Sequence, residues 1–247
     1  LSSMKVAGWS CAKFGSGPSV RVLNFGLPIF PIFVGLNFGL PFFCIALFCN
    51  GFFLAAQDVS MNGLGSTLEV NSTKRIMSGF HALWSVGTLV GGAFGGLCNQ
   101  LKISPLVNFL IVSLVVLVTA IAINKNYPAG SLDAHALSKK ERGKTPRIFF
   151  ILGLLGMCAA IGEGAASDWG GILIRDTFHA TGFLIALPYV LFCTTMVVGR
   201  FSGDTLASKL GTSKLITYAA VVASSGLFFG LILGGQVGVL IAWLLMG

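Results

Sequence analysis

Charge is scarce in this sequence. Of 247 residues only 10% are charged, with eight acidic residues and three histidines, against about a quarter charged in an ordinary soluble domain. A water-soluble fold of this length needs a polar skin that so few charges cannot make. Cys-x-x-Cys pairs are also missing. The six cysteines stand at positions 11, 44, 49, 98, 158 and 193. Cys44, Cys49, Cys158 and Cys193 lie inside apolar runs, so they read as small apolar fillers rather than metal ligands or disulfide partners. There is no Gly-x-x-x-x-Gly-Lys-Ser/Thr phosphate loop, no His-Glu-x-x-His, no Gly-x-Ser-x-Gly and no paired-histidine motif. The expectation is therefore a chain without a catalytic constellation, a cofactor or a metal site.

Apolar residues are abundant. They make up 55% of the chain, the mean hydropathy is +0.88, and there are 33 glycines and 21 phenylalanines. Glycine lets membrane helices approach closely, and phenylalanine presents apolar surface to lipid. A span needs about 20 mainly apolar residues. That length predicts seven complete spans near 18–36, 38–58, 77–99, 104–123, 147–168, 180–202 and 214–233, and an eighth beginning near 237. Long runs without alternation argue for helices over a barrel, so the fold class is an all-α polytopic bundle.

The basic residues then fall on one side. With 1–17 cytoplasmic, that side holds Lys5, Lys13, Arg21, Lys74, Arg75, Lys125, Lys139, Lys140, Arg142, Lys144, Arg147, Arg200, Lys209 and Lys214, and only Lys102 and Arg175 lie outside. This bias explains the net charge of +8 as a topology signal and excludes nucleic acid as a partner. The bilayer is the expected partner. The polar stretch 124–147 reads as a cytoplasmic linker between a half at 1–123 and a half at 148–247. Its basic cluster admits an anionic-lipid contact, with topology signalling as the simpler role.

Two stretches repeat. Gly8-Trp-Ser-Cys-Ala-Lys13-Phe-Gly15 and Gly203-Asp204-Thr-Leu-Ala-Ser-Lys209-Leu-Gly211 each read as a short cytoplasmic loop, and their closing glycines are 196 residues apart. In both, a lysine stands two residues before the closing glycine, and Gly199 and Arg200 introduce the second copy. This is the spacing of one half of a duplicated carrier. The stretches resemble the loop signature Gly-x-Leu-Ala-Asp-Arg-x-Gly of the major facilitator superfamily. Ala12 and Ser208 occupy its acidic position, which leaves Asp204 as a substitute carboxylate in the second copy.

Gln57-Asp58-Val-Ser-Met-Asn62, His81-Ala-Leu-Trp84-Ser85-Val-Gly87 and Gly162-Glu163-Gly164-Ala-Ala-Ser-Asp168-Trp169 look like the YbjJ-type and fucose-permease-like branch of that superfamily. The resemblance implies two pseudo-repeated halves and a fragment truncated at both ends, holding spans three to six and seven to the start of ten. It further implies a multi-pass protein of the bacterial inner membrane, monomeric when full length, that carries a small polar solute with protons by alternating access. A proton-driven antiporter and a non-transporting descendant of a carrier remain as alternatives.

Ionisable side chains inside spans are candidates for that work. Asp58 lies four residues before Asn62 on one helix face, and in fucose-permease-like carriers an acidic residue so placed is implicated in proton coupling. Glu163, between two glycines, is a candidate for the solute or proton cavity, with Asp168 and Trp169 toward the outer interface. His81, an imidazole inside an apolar helix, shares a face with Trp84 and Ser85. Gly87, Gly91 and Gly95, with Gly92 and Gly96 beside them, suggest a groove for close helix crossing, and the pattern is also similar to the superfamily's antiporter signature. Glu69, Lys74 and Arg75 read as a solvated surface or a salt-bridge latch. Gly8, Lys13, Gly15, Arg200, Asp204, Lys209 and Gly211 are the candidate gating residues.

Overall fold

The computed structural model describes residues 2–70, 72, 76–127 and 147–247. Among these residues there is no strand. The α-helices are α1 (Ser2–Phe14), α2 (Ser16–Gly26), α3 (Ile29–Leu36), α4 (Leu40–Val70), α5 (Met77–Gln100), α6 (Pro105–Ile123), α7 (Arg147–Phe178), α8 (Leu187–Leu210), α9 (Thr212–Leu233) and α10 (Gly235–Met246). The all-α membrane fold class holds. Lys74, Arg75, Lys139, Lys140, Arg142 and Lys144, with most of the linker, lie outside the described residues.

Local chemistry sets the boundaries. Ser104 caps α6, its Oγ accepting from Val107 N at 3.4 Å, and Pro105 opens the helix where its missing N–H costs nothing. The first predicted span, 18–36, is a broken one: α2 stops at Gly26, and Pro28, which has no N–H to continue the ladder, caps α3. The apolar run ending at 58 continues helically through Leu68 to Val70, and the predicted end at 168 is corrected to Phe178, because α4 and α7 run on as helices of 31 and 32 residues past their most apolar stretch. The predicted start at 180 is corrected to Leu187, with Pro188 in the first turn of α8.

Among the described residues five segments are long and apolar enough to cross a membrane: Ser16–Leu36, Leu40–Val70, Pro105–Asn126, Ile148–Phe178 and Thr212–Leu233. The predicted spans 77–99 and 180–202 correspond to α5 and α8, each 24 residues long but outside that set, and they carry His81, Ser85, Arg200 and Asp204. The chain is a multi-pass integral membrane protein.

The compact grouping departs from chain order. One unit holds α1–α4 and α6, and the other holds α5 with α7–α10. In the first, α1 and α2 lie on α4, and α3 lies on both α4 and α6. A Cβ at Gly35 would meet the Leu106 Cα at 2.8 Å, so the glycine permits the α3–α6 approach. In the second, Ala166, Phe192, Cys193, Met196, Val239, Ala242 and Trp243 form a core. Trp243 Nε1 donates to Ala166 O at 2.9 Å, which satisfies the indole inside that core. Long apolar side chains on α6, α7 and α9 are exposed, as expected for surfaces that face lipid.

Candidate functional site

The repeated stretches are helix ends, which corrects the reading of both as loops. Gly8 through Phe14 completes α1, Gly203 through Leu210 completes α8, and one glycine makes each turn. Gly15 has φ 92 and ψ 155, and Gly211 has φ 82 and ψ 143, a region that side-chain-bearing residues avoid. Gly15 N donates to Cys11 O and Gly211 N to Ala207 O, both at 2.9 Å. Each glycine carbonyl in turn accepts from the amide four residues on, Ser19 and Leu215. The two copies are therefore the same turn. Gly8 and Gly203 have open space beside them, so no close approach calls for their being glycine. Lys13 Nζ stands 4.9 Å from the Trp9 ring centroid and 5.2 Å from that of Phe14, and Lys209 is exposed.

The second copy opens onto a polar seam between α5 and α8. Ser78 Oγ donates to Asp204 Oδ2 at 2.6 Å. Arg200 Nη1 donates to His81 O at 3.0 Å and to Ser85 Oγ at 2.6 Å. Ser78, His81, Arg200, Gly203 and Asp204 line a cavity of about 340 Å³. The helices run antiparallel, and at the far end Asn99 Nδ2 donates to Gly182 O at 2.9 Å while Gln100 Oε1 accepts from Phe183 N at 2.9 Å.

Between these ends a Cβ at Gly92 would meet Tyr189 at 2.6 Å, and one at Gly96 would meet Ala186 at 2.7 Å. The close approach therefore falls on Gly92 and Gly96. Gly87 and Gly91 have nothing within 4 Å, a correction to the expected groove. The shared face of His81, Trp84 and Ser85 divides in the same way, with Ser85 fully buried against α8 and Trp84 exposed. Ser78 and Tyr189 were not singled out from sequence. A serine in the first turn of a helix and a tyrosine behind Pro188 are the only signals they leave.

Asp58 sits past the middle of α4 and accepts from Asn62 Nδ2 at 3.0 Å, as their spacing predicts. Its side chain is half-buried, on the flank beside the face formed by Ala56, Gln57, Ser60 and Leu64, all buried. That buried face is polar in places. Cys11 Sγ donates to Ser60 Oγ at 3.4 Å, and Ser10 and Ser19 share a 2.8 Å hydrogen bond. Gln57 Nε2 donates to Asn24 Oδ1, Asn24 Nδ2 donates to the Tyr127 hydroxyl, and Arg21 Nη2 donates to Tyr127 O at 3.2 Å. Burial holds the Tyr127 phenol above its ordinary pKa, against smaller opposing effects of Asn24 and Arg21, so it remains neutral.

Glu163 and Asp168 lie on exposed positions of α7. Glu163 is within electrostatic reach of the Tyr189 phenol, and Asp168 Oδ1 accepts from its neighbour Ser167 at 3.4 Å. Trp169 is exposed. Glu69 Oε2 accepts from Ile76 N and Met77 N, both at 2.7 Å, and so caps the start of α5. Its expected companions Lys74 and Arg75 lie outside the described residues.

No family model matches the chain, and no solved structure matches it. Three bacterial proteins are similar along its whole length. An uncharacterized transporter of Sinorhizobium fredii is 28% identical, with 66% of its own length covered. An uncharacterized MFS-type transporter of Yersinia pestis is 26% identical with 64% covered, and membrane protein MosC of Rhizobium meliloti is 27% identical with 60% covered. The chain thus spans just under two thirds of the length of the curated relatives it matches.

Proposed function

We propose that this chain is the larger part of a secondary active transporter of the bacterial inner membrane, of the major facilitator type and close to its YbjJ-like and fucose-permease-like branch. It moves a small polar solute together with protons by alternating access, as a monomer, and performs no catalysis. The names of the similar proteins and the glycine turns repeated 196 residues apart support the carrier reading. The observation that carries proton coupling is the Asp58–Asn62 pair, a carboxylate far from either end of a 31-residue helix, whose amide partner is on the same helix. An ionisable side chain inside an apolar span is costly to keep there, which makes Asp58 the candidate proton site.

The α5–α8 seam fits the gating role. Arg200 and Asp204 are one helical turn apart, and each bonds to α5, so parting the helices would break every bond of the cluster together. His81, Trp84, Glu163, Asp168 and Trp169 complete the set of candidate cavity groups.

Saturable uptake of candidate sugars and related metabolites into proteoliposomes of the complete protein tests the carrier reading. Accumulation should rise when a pH gradient, acid outside, is imposed. Absence of saturable flux for any polar solute class would leave a non-transporting membrane protein, and accumulation driven by the opposite gradient would make the protein an antiporter.

A further inference from the structure

The polar knot of Arg21, Asn24, Gln57 and Tyr127 has no part in the activity proposed above, and its hydrogen bonding is incomplete. Gln57 is only 7% exposed, and its Oε1 is buried without a partner, as is Arg21 Nε. In apolar surroundings each unmatched group is a cost to stability. A network satisfied only in part is commonly less stable than apolar side chains of the same shape. What directional hydrogen bonds supply instead is a single orientation.

That orientation matters on α4. Gln57 and Asp58 are successive residues, about 100° apart around the helix. Rotating α4 by that angle would carry Asp58 toward the buried face and Gln57 away from it. Apart from Gln57, the buried residues of that stretch are small or apolar, and the Cys11 Sγ to Ser60 Oγ contact at 3.4 Å is a weak tie. A glutamine held at its tip by Asn24 of α2, which is itself held by Tyr127 just beyond α6, resists such rotation strongly.

We propose that Gln57 is a positioning residue for Asp58, and that Asn24 and Tyr127 transmit the position of α2 and of the end of α6 to the Asp58 flank. The consequence for transport rests on the reading of Asp58 as the proton site. The placement itself does not.

The test uses the full-length protein with its native cysteines replaced, Asp58→Cys introduced, and labelling by a small water-soluble maleimide followed over time. Gln57→Leu and, separately, Tyr127→Phe are expected to change the labelling rate at position 58 several-fold. The melting temperature of Gln57→Leu should stay equal or rise. With Asp58 restored, the same two variants should displace the pH midpoint of solute-dependent proton uptake, an effect that loss of packing alone does not produce. Unchanged labelling in both variants, with a lowered melting temperature, makes the knot ordinary packing and overturns the proposal. Should Gln57→Leu fail to accumulate, Tyr127→Phe, which removes one hydroxyl, decides alone. Undiminished proton uptake in Asp58→Asn would remove the transport reading while leaving the labelling result, and this inference, intact.

Discussion

The turns at Gly15 and Gly211 share a backbone and differ in what surrounds them. Gly15 is buried in its unit, and the helix end before it is tied by Ser10 to Ser19 and by Cys11 to Ser60, all uncharged contacts. Gly211 is exposed, and the helix before it is tied to α5 by Arg200 and Asp204. Glycine preserves the turn because few other residues adopt its dihedrals. The side chains around the turn are under no such constraint, so one copy has become a packed joint and the other a charged one. Charge-assisted hydrogen bonds are shorter and individually stronger than neutral ones, so the second joint is held by the stronger ties.

Replacing the basic residue of each copy should separate them most. Arg200→Leu removes two charge-assisted bonds and should lower stability by about 3 kcal/mol, whereas Lys13→Leu, which loses an exposed cation–π contact, should cost less than about 1 kcal/mol. Thermal unfolding of the purified full-length variants reads this difference, and equal losses would remove it.

The turns themselves should behave alike. Gly15→Ala and Gly211→Ala are each expected to cost about 2 kcal/mol, and asparagine should be no better than alanine, because φ near 90 with ψ near 150 lies outside the left-handed helical region that asparagine tolerates. A milder effect of asparagine at either site would mean that the turn has another geometry there. The hydroxyls fall below the turns. Ser78→Ala should cost about 1–2 kcal/mol through its bond to a carboxylate, and Ser10→Ala about half of that through a neutral one.

What could be read from the sequence followed from local chemistry. Pro105–Ile123 was located within a residue at either end because its cap, its opening proline and its apolar run all stand in adjacent positions. The end of α7 lies ten residues past the predicted one because hydropathy reports depth in the bilayer and not helicity; the helix continues through polar residues such as Asp176, as α4 does through Glu69. The glycines of α5 form two overlapping ladders, and only the helix phase selects Gly92 and Gly96 over Gly87 and Gly91. That phase depends on α8, roughly a hundred residues downstream. Asn24, Gln57 and Tyr127 come from three distant segments, each polar in an otherwise apolar setting, and nothing in their spacing connects them. Asp58 with Asn62 was legible because both partners lie on one turn of one helix.

The central claim is proton coupling through Asp58. Solute-driven alkalinisation, followed with a pH electrode in an unbuffered suspension of cells or vesicles expressing the full-length protein, should vanish in Asp58→Asn. Exchange of labelled for unlabelled solute, which moves no net protons, should survive in the same variant. Undiminished alkalinisation in Asp58→Asn would contradict the claim.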